Sequence, residues 1–332
     1  MKTIAIPILE TENSIGAVGP LEVLTKSSIL WGQLAGSKAQ SRPFHVYIVA
    51  EKRKRINFAN GISLTPGATF DEVKPDLIVV PSLEEDVRKS LQKNQAAVEW
   101  VKESYKRGAH VSSFCTGAFV LGQSGVLDGR RATTHWFFAD EFKRMFPRVD
   151  LQDQYTIVDE GNIVTCGGAT FFLNLTMYLI DKYFGHELAV HASKVFLIDM
   201  DRPTQLPFKI HAFSPAHREP AIARIQAFVG EHLAGDLSVA VIAKRAGMSP
   251  RTFSRRFKAA TGDAVGMYVQ KLRIEAAKRL FETSDLSVSE VTYKAGYNDE
   301  RSFRRLFRRR TGLSPKDYRA KFQLHSNKAP IA

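Results

Sequence analysis

Ala246-Gly247-Met248-Ser249-Pro250-Arg251-Thr252-Phe253-Ser254-Arg255-Arg256-Phe257 returns as Ala295-Gly296-Tyr297-Asn298-Asp299-Glu300-Arg301-Ser302-Phe303-Arg304-Arg305-Leu306-Phe307. The Ala-Gly pair recurs 49 positions on, whereas the phenylalanines and the Thr261-Gly262 and Thr311-Gly312 pairs recur 50 positions on, so the second copy carries one extra residue in its turn. Internal repetition of this kind outranks any single motif. In each copy a short apolar helical pattern (Val239, Ile242, Ala243 and Ala246 in the first) stops at a glycine, which can take the left-handed conformation that closes a helix. Ser249-Pro250 then supplies an N-cap and a first helical residue. Phe253 and Phe257 lie four apart on one face of a second helix. Helix, glycine turn, helix is a helix-turn-helix, whose second helix enters the DNA major groove.

At about 100° per residue, Arg251, Arg255 and Lys258 lie opposite Phe253 and Phe257, and Arg301, Arg305 and Arg308 repeat that stripe opposite Phe303 and Phe307. Guanidinium groups pair bidentately with guanine or with phosphate. The apolar pattern from Tyr268 to Phe281 predicts a rigid helical connector. Two readers held by it could enter successive major-groove turns about 34 Å apart.

Charge follows the repeat. The 332 residues carry a formal charge of +13, and residues 219–325 hold 21 Lys and Arg against 11 Asp and Glu, while residues 1–218 hold 25 against 23. A basic excess confined to the repeat implies double-stranded DNA as partner. The 44% hydrophobic content implies packed cores. Two cysteines do not make a disulfide framework and fit a reducing cytoplasm. The apolar start, Met1 to Glu10, lacks a cleavage site and reads as a strand; the most apolar stretch, Ala169 to Ile180, contains Asn174 and is short for a membrane span. The histidines have no metal-ligand spacing with the cysteines, so neither a metal nor a cofactor is expected.

Before the repeat, strands and helices alternate. Strands are expected at Thr3–Leu9, Phe44–Ala50, Leu77–Pro81, Gly108–Phe114 and Ile163–Thr165, and helices at Leu21–Leu34, Gln95–Arg107 and Ala169–Phe184. This predicts an α/β, flavodoxin-like parallel-sheet N-terminal domain, joined to an all-α C-terminal domain with two helix-turn-helix motifs. The expected boundaries are 1–198 for a sensor and dimerisation domain, 199–218 for a Pro-rich linker whose apolar residues pack on something, 219–323 for the DNA-binding domain opened by a helix over Ala221–Leu233, and 324–332 for a flexible tail.

At Phe114-Cys115-Thr116-Gly117 a strand runs directly into a helix. This is the geometry of a nucleophile elbow, and a thiol at a helix N-terminus is expected to have a lowered pKa. Cys115 reads in three ways: nucleophile, ligand-pocket side chain or inert buried residue. Thr165-Cys166-Gly167-Gly168 is a second strand-to-helix turn, which either lines the same pocket or places a small residue beside a tight turn. His135 and Trp136 either close that pocket or pack.

The repeat resembles the AraC/XylS family of transcription regulators, over about 100 residues and with particular closeness from Ala295 to Arg319. The resemblance makes Arg251, Arg255, Arg301 and Arg305 candidates for base contacts, with Arg256, Arg304 and Arg308 as further DNA contacts, Arg256 and Arg308 acting on phosphate. It also implies RNA polymerase as a partner and activation as the usual output. The region around Gly19-Pro20-Leu21-Glu22, the Cys115 turn and Thr134-His135-Trp136 resembles the ThiJ/PfpI branch of the class I glutamine amidotransferase-like superfamily, in particular the GlxA-like regulators that join such a domain to an AraC-type reader. Active relatives place a histidine directly after the cysteine, where this chain has Thr116, and hydratase-like relatives carry a carboxylate where it has Gly16. Without a base a thiol is a much weaker nucleophile. The resemblance implies a pocket formed by Glu22, Cys115, Thr116, His135 and Cys166, holding an unidentified small-molecule effector, in a homodimeric cytoplasmic regulator and not an enzyme. The alternatives are a cysteine hydrolase or amidase fused to a DNA-binding domain, and a regulator that responds to no ligand.

Overall fold

Thr3 to Leu9 is apolar without alternation, the pattern of a strand covered on both faces. In the computed structural model that run supplies an interior strand of the first of two units, residues 1–205 and 206–332. Residues 2–10, 14–34, 42–58, 61–211 and 219–323 are described. The first unit runs β1 (Lys2–Pro7), α1 (Ile15–Leu34), β2 (Phe44–Ala50), β3 (Ile56–Asn57), β4 (Ser63–Leu64), β5 (Ala68–Thr69), β6 (Leu77–Val80), α2 (Val87–Lys93) and α3 (Gln95–Lys106). It continues through β7 (His110–Phe114), α4 (Gly117–Gln123), β8 (Arg131–Ala132), α5 (Ala139–Met145), β9 (Asp150–Leu151), β10 (Ile157–Asp159), β11 (Ile163–Cys166), α6 (Phe172–Phe184) and α7 (His186–Phe196).

Seven strands form one sheet in the order β10-β11-β7-β6-β1-β2-β5. All its pairings are parallel except β10 with β11. Ile4 sits opposite Val46 and Leu77, and Ile78 opposite Val111. All four residues of β6 are buried, as are Ile4, Ala5 and Ile6, because helices cover both faces. At about 25 cal/mol per Å² of apolar surface, this continuous burial is the main stabilising term of the unit. α1 begins at Ile15, ahead of the helical pattern that starts at Leu21, and contains Pro20. A proline ring crowds the carbonyl four residues earlier. Here that residue is Gly16.

The second unit holds a 3₁₀ turn at Leu206–Phe208, then α8 (Pro220–Glu231), α9 (Val239–Arg245), α10 (Pro250–Thr261), α11 (Val265–Thr283), α12 (Val288–Lys294), α13 (Glu300–Thr311) and α14 (Pro315–Phe322). α12 starts 49 residues after α9, and α13 starts 50 after α10, as the offsets require. Gly247 and Gly296 take φ of +67° and +86° in the two turns. The Ser249 side chain accepts from the Thr252 amide, and Asp299 does the same for Ser302 at 2.7 Å. Each copy has its own core. Phe253 and Phe257 pack with Ile225, Ile242 and Tyr268; Phe303 and Phe307 pack with Phe281, Val291 and Tyr318. α11 contributes to both.

The boundary between the units falls inside the stretch expected as linker. Residues 199–205 are part of the first unit; in the second, Pro207 is buried, Phe208 packs edge-on to Phe322, and Ile210 is exposed. Residues 212–218 and the expected tail, 324–332, lie outside the described residues. Among the described residues no helix is long and apolar enough to cross a membrane, and no group of three or more His, Cys, Asp or Glu could hold a metal ion.

Candidate nucleic-acid interface and cysteine turn

Burying two phenylalanines four residues apart turns the opposite face of each second helix outward. Arg251, Arg255 and Lys258 are exposed on α10, and Arg301, Arg304, Arg305, Arg308 and Arg309 on α13. Arg304 is tied to Glu300 one turn earlier at 2.7 Å. The guanidinium groups of Arg251, Arg255, Arg301, Arg305, Arg308 and Arg309 form no hydrogen bond or ion pair among the described residues. Arg304, Arg305, Arg308, Arg309 and Ser314 line one open groove beside the start of α14. A guanidinium stripe unpaired among the described residues is available to phosphates and base edges.

Other arginines of this unit are structural. Arg256 is half-buried, pairs with Glu219 just before α8, and its guanidinium touches the Met248 sulfur. It faces α8 and not the outward stripe, because it follows Arg255 by one residue and is turned about 100° from it. Arg273 donates to the carbonyls of Leu233 and Gly235, both at 3.0 Å, Arg310 to Gln270 at 2.6 Å, and Arg319 to the Leu286 carbonyl.

In the first unit, the carboxyl ends of β7 and β11 carry the two cysteine turns side by side, where ligands bind in open α/β sheets. Cys115 has φ +55°, the left-handed strain of an elbow, and its amide reaches the Gly167 carbonyl at 2.8 Å. Ala169, also left-handed at +44°, and Thr116 hydrogen-bond the Cys115 sulfur in favour of the thiolate. Burial outweighs them and pushes the Cys115 thiol up. The lowered pKa expected from the elbow alone is therefore incorrect: desolvation of a charged sulfur exceeds what a helix start and a few hydrogen bonds return.

Thr116 is buried and exchanges hydrogen bonds with the Leu83 backbone, donating to its carbonyl at 3.0 Å and accepting from its amide at 2.7 Å. A threonine hydroxyl is too weakly basic to take the place of an imidazole there. Gly16 faces Pro81 and Ser82, so no carboxylate enters from α1 there. His135 accepts from the Phe137 amide through Nδ1 at 3.1 Å, and burial pushes its pKa down. Its ring lies against Gly168, where a Cβ would collide with it. No hydrogen bond joins His135 to Cys115 among the described residues. Cys166 is fully buried; its thiol leans on the Phe171 carbonyl at 3.4 Å and is pushed up by desolvation. The structure thus brings Cys115, Thr116, His135 and Cys166 to one pair of turns, while Glu22 is exposed on α1.

One residue of this region escaped the sequence. Gln205 is buried, and its side chain bridges these turns by hydrogen bonds to Thr134, Tyr155 and Gly168. It stood in a stretch without periodicity, and a lone glutamine carries no signal of its own.

The helix-turn-helix domain model matches residues 242–321, and the DJ-1/PfpI family model matches residues 2–182. The chain is 28% identical over 278 residues to the HTH-type transcriptional regulator CdhR of Pseudomonas aeruginosa, covering 82% of this chain and 80% of that one. It is 28% identical over 145 residues to an isonitrile hydratase of Pseudomonas putida, covering 43% of this chain and 61% of that one. The solved structure of a ThiJ/PfpI family protein from Pseudomonas syringae matches with a TM-score of 0.50 at 19% identity, over 69% of this chain and 86% of that one. That likeness is one of fold.

Proposed function

The chain belongs to the DJ-1/PfpI family and carries an AraC-type helix-turn-helix domain at its other end, and from that premise we propose that it is a DNA-binding transcription regulator whose first unit senses a small molecule. The observation that carries the reading is the paired arginine stripe of α10 and α13, on helices whose other faces fill two cores joined by α11. α11 has 19 residues and so is about 28 Å long, a spacer of the scale of one DNA turn. Arg251, Arg255, Arg301 and Arg305 read bases, and Arg308 and Arg304 hold phosphate.

Cys115, Thr116, His135 and Cys166 form the effector site, to which the family resemblance adds Glu22, exposed on α1. The effector acts by binding two arrangements of the protein unequally. The regulator works in the cytoplasm as a homodimer, activating through RNA polymerase; the compartment rests on the sparse cysteines, the dimer on the two-fold symmetry of paired DNA sites, and the polymerase on the family resemblance. The chain is not an enzyme in this reading, because the Cys115 thiol is disfavoured as thiolate and has no base beside it.

The strained elbow and the isonitrile hydratase relative favour a second reading, in which Cys115 performs chemistry. Replacing Arg255 and Arg305 with Ala and measuring binding by fluorescence anisotropy tests the first reading: discrimination between specific and scrambled duplexes should disappear. Retained discrimination counts against it. Turnover of a hydratase or amidase substrate that is lost in Cys115→Ser would favour the second.

A further inference from the structure

Gln205 occupies a position that the reader-and-sensor division does not account for. It is the last residue of the first unit, and its buried side chain meets five polar groups, one of them the Gly168 amide of the second cysteine turn. Nε2 donates to the Thr134 carbonyl at 2.9 Å and the Tyr155 carbonyl at 3.1 Å, with Thr133 Oγ1 and the Asp153 carbonyl each at 3.3 Å. Oε1 accepts from the Gly168 amide at 3.2 Å. A Cβ on Gly167 would collide with the Gln205 amide, so this glycine leaves room for it. The backbone is sewn down as well: the Gln205 amide donates to the Gln154 carbonyl at 2.9 Å, and the Thr156 amide to the Pro203 carbonyl at 3.1 Å.

Two of the groups that Gln205 holds, Gly168 and Thr134, border the Cys115 turn. Gly168 precedes Ala169, which hydrogen-bonds the Cys115 sulfur. Thr134 donates its hydroxyl to the Cys115 carbonyl at 2.8 Å and precedes His135, whose ring lies on Gly168. A group seated against the sulfur and the imidazole would therefore press on Gly168 and Thr134, two of the partners of Gln205.

The next residue starts the other unit. Leu206–Phe208 forms its first turn, Phe208 packs on Phe322, and the Lys209 carbonyl accepts from the buried Lys278 ammonium at 2.7 Å. Lys278 lies on α11, the connector of the two readers. Gln205 and Leu206 are consecutive in the chain, one in each unit.

We propose that Gln205 is the coupling residue of the regulator: it senses occupancy of the Cys115 turn through Gly168 and Thr134 and passes it to the segment 206–211 anchored on α11. The inference deepens the effector-responsive reading and rests on it. Buried polar networks suit this role, since a satisfied amide rigidifies both sides and a displaced one releases both.

The test uses the full chain without DNA, so its outcome is separate from that of the DNA-binding reading. Amide exchange at Gly168 and tryptic cleavage after Lys209 are followed by mass spectrometry in wild type and Gln205→Ala. The probe of occupancy is a carboxamidomethyl group placed on Cys115 with iodoacetamide at alkaline pH, the protein then being returned to neutral buffer. Both rates should rise roughly tenfold in Gln205→Ala, as expected when several hydrogen bonds of a local unit are lost. Alkylation should speed cleavage after Lys209 in wild type and add nothing in the variant. If Gly168 exchange rises while cleavage after Lys209 does not, or if alkylated Gln205→Ala still responds, the coupling assignment is overturned. Gln205→Met, which keeps the volume without the hydrogen bonds, replaces the alanine variant should that one fail to fold.

Discussion

Arg255 and Arg256 are neighbours on α10 with opposite surroundings, and replacing each by alanine separates reading from folding. Arg255 is exposed on the outward stripe with no partner among the described residues, whereas Arg256 bridges to Glu219 with both side chains a little over one-third exposed. A pair so accessible is worth at most about 1 kcal/mol, because water screens it. Arg256→Ala should therefore lower the unfolding midpoint of the second unit by a few degrees. It should leave DNA affinity within about threefold of wild type. Arg255→Ala removes a group poised for a base edge, a loss of about 1–3 kcal/mol of discrimination, or roughly 5- to 150-fold in the ratio of specific to non-specific binding. The midpoint should not move. Anisotropy titrations on specific and scrambled duplexes, alongside differential scanning calorimetry, read both quantities. If Arg256→Ala costs as much specific affinity as Arg255→Ala at unchanged stability, the orientation of α10 deduced here is refuted.

Three further outcomes follow from the same geometry. Burial raises the Cys115 pKa above its ordinary value of 9.0, so the thiolate is scarce at neutral pH and alkylation should accelerate steeply on going above that value; a rate already at its plateau near pH 7 would show an activated thiol instead. Phe303→Ala empties a fully buried position and should cost about 3–5 kcal/mol. Because the copies have separate cores, chemical-shift changes should centre on α12 to α14; equal disturbance of α9 and α10 counts against two cores. Gly168→Ala should destabilise the first unit by about 1–3 kcal/mol by driving His135 off its seat, and an unchanged denaturation midpoint would contradict that packing.

The repeat was legible because its information is periodic. Two phenylalanines four apart, a glycine that must be left-handed and a serine cap each constrain local backbone, and together they locate α9 and α10 and their second copies to within a residue or so. The parallel sheet was legible for a similar reason: Ile4 to Ile6 and Leu77 to Val80 are too uniformly apolar for a strand wet on one side. Short elements without a period, such as α2 or the pairing of Ile56 with Leu64, left no such trace. The cysteine turn was found from its strand-to-helix pattern, but its pKa was not, because desolvation depends on what packs over the sulfur. Arg256, which the resemblance makes a phosphate contact, shows the same limit: only the fold supplies Glu219. Gln205 was invisible because its partners lie 37 to 72 residues away in the chain.

The central claim is that two arginine-faced helices, held by α11, read one face of DNA together. DNase I footprinting of the full chain on a DNA fragment that it selects from a random pool tests it most directly. Two protected patches about one helical turn apart on the same face are expected for each protein, weakening together as salt rises because phosphate contacts release counterions. Protection confined to a single groove segment, or a pool that never converges on a sequence, would contradict it.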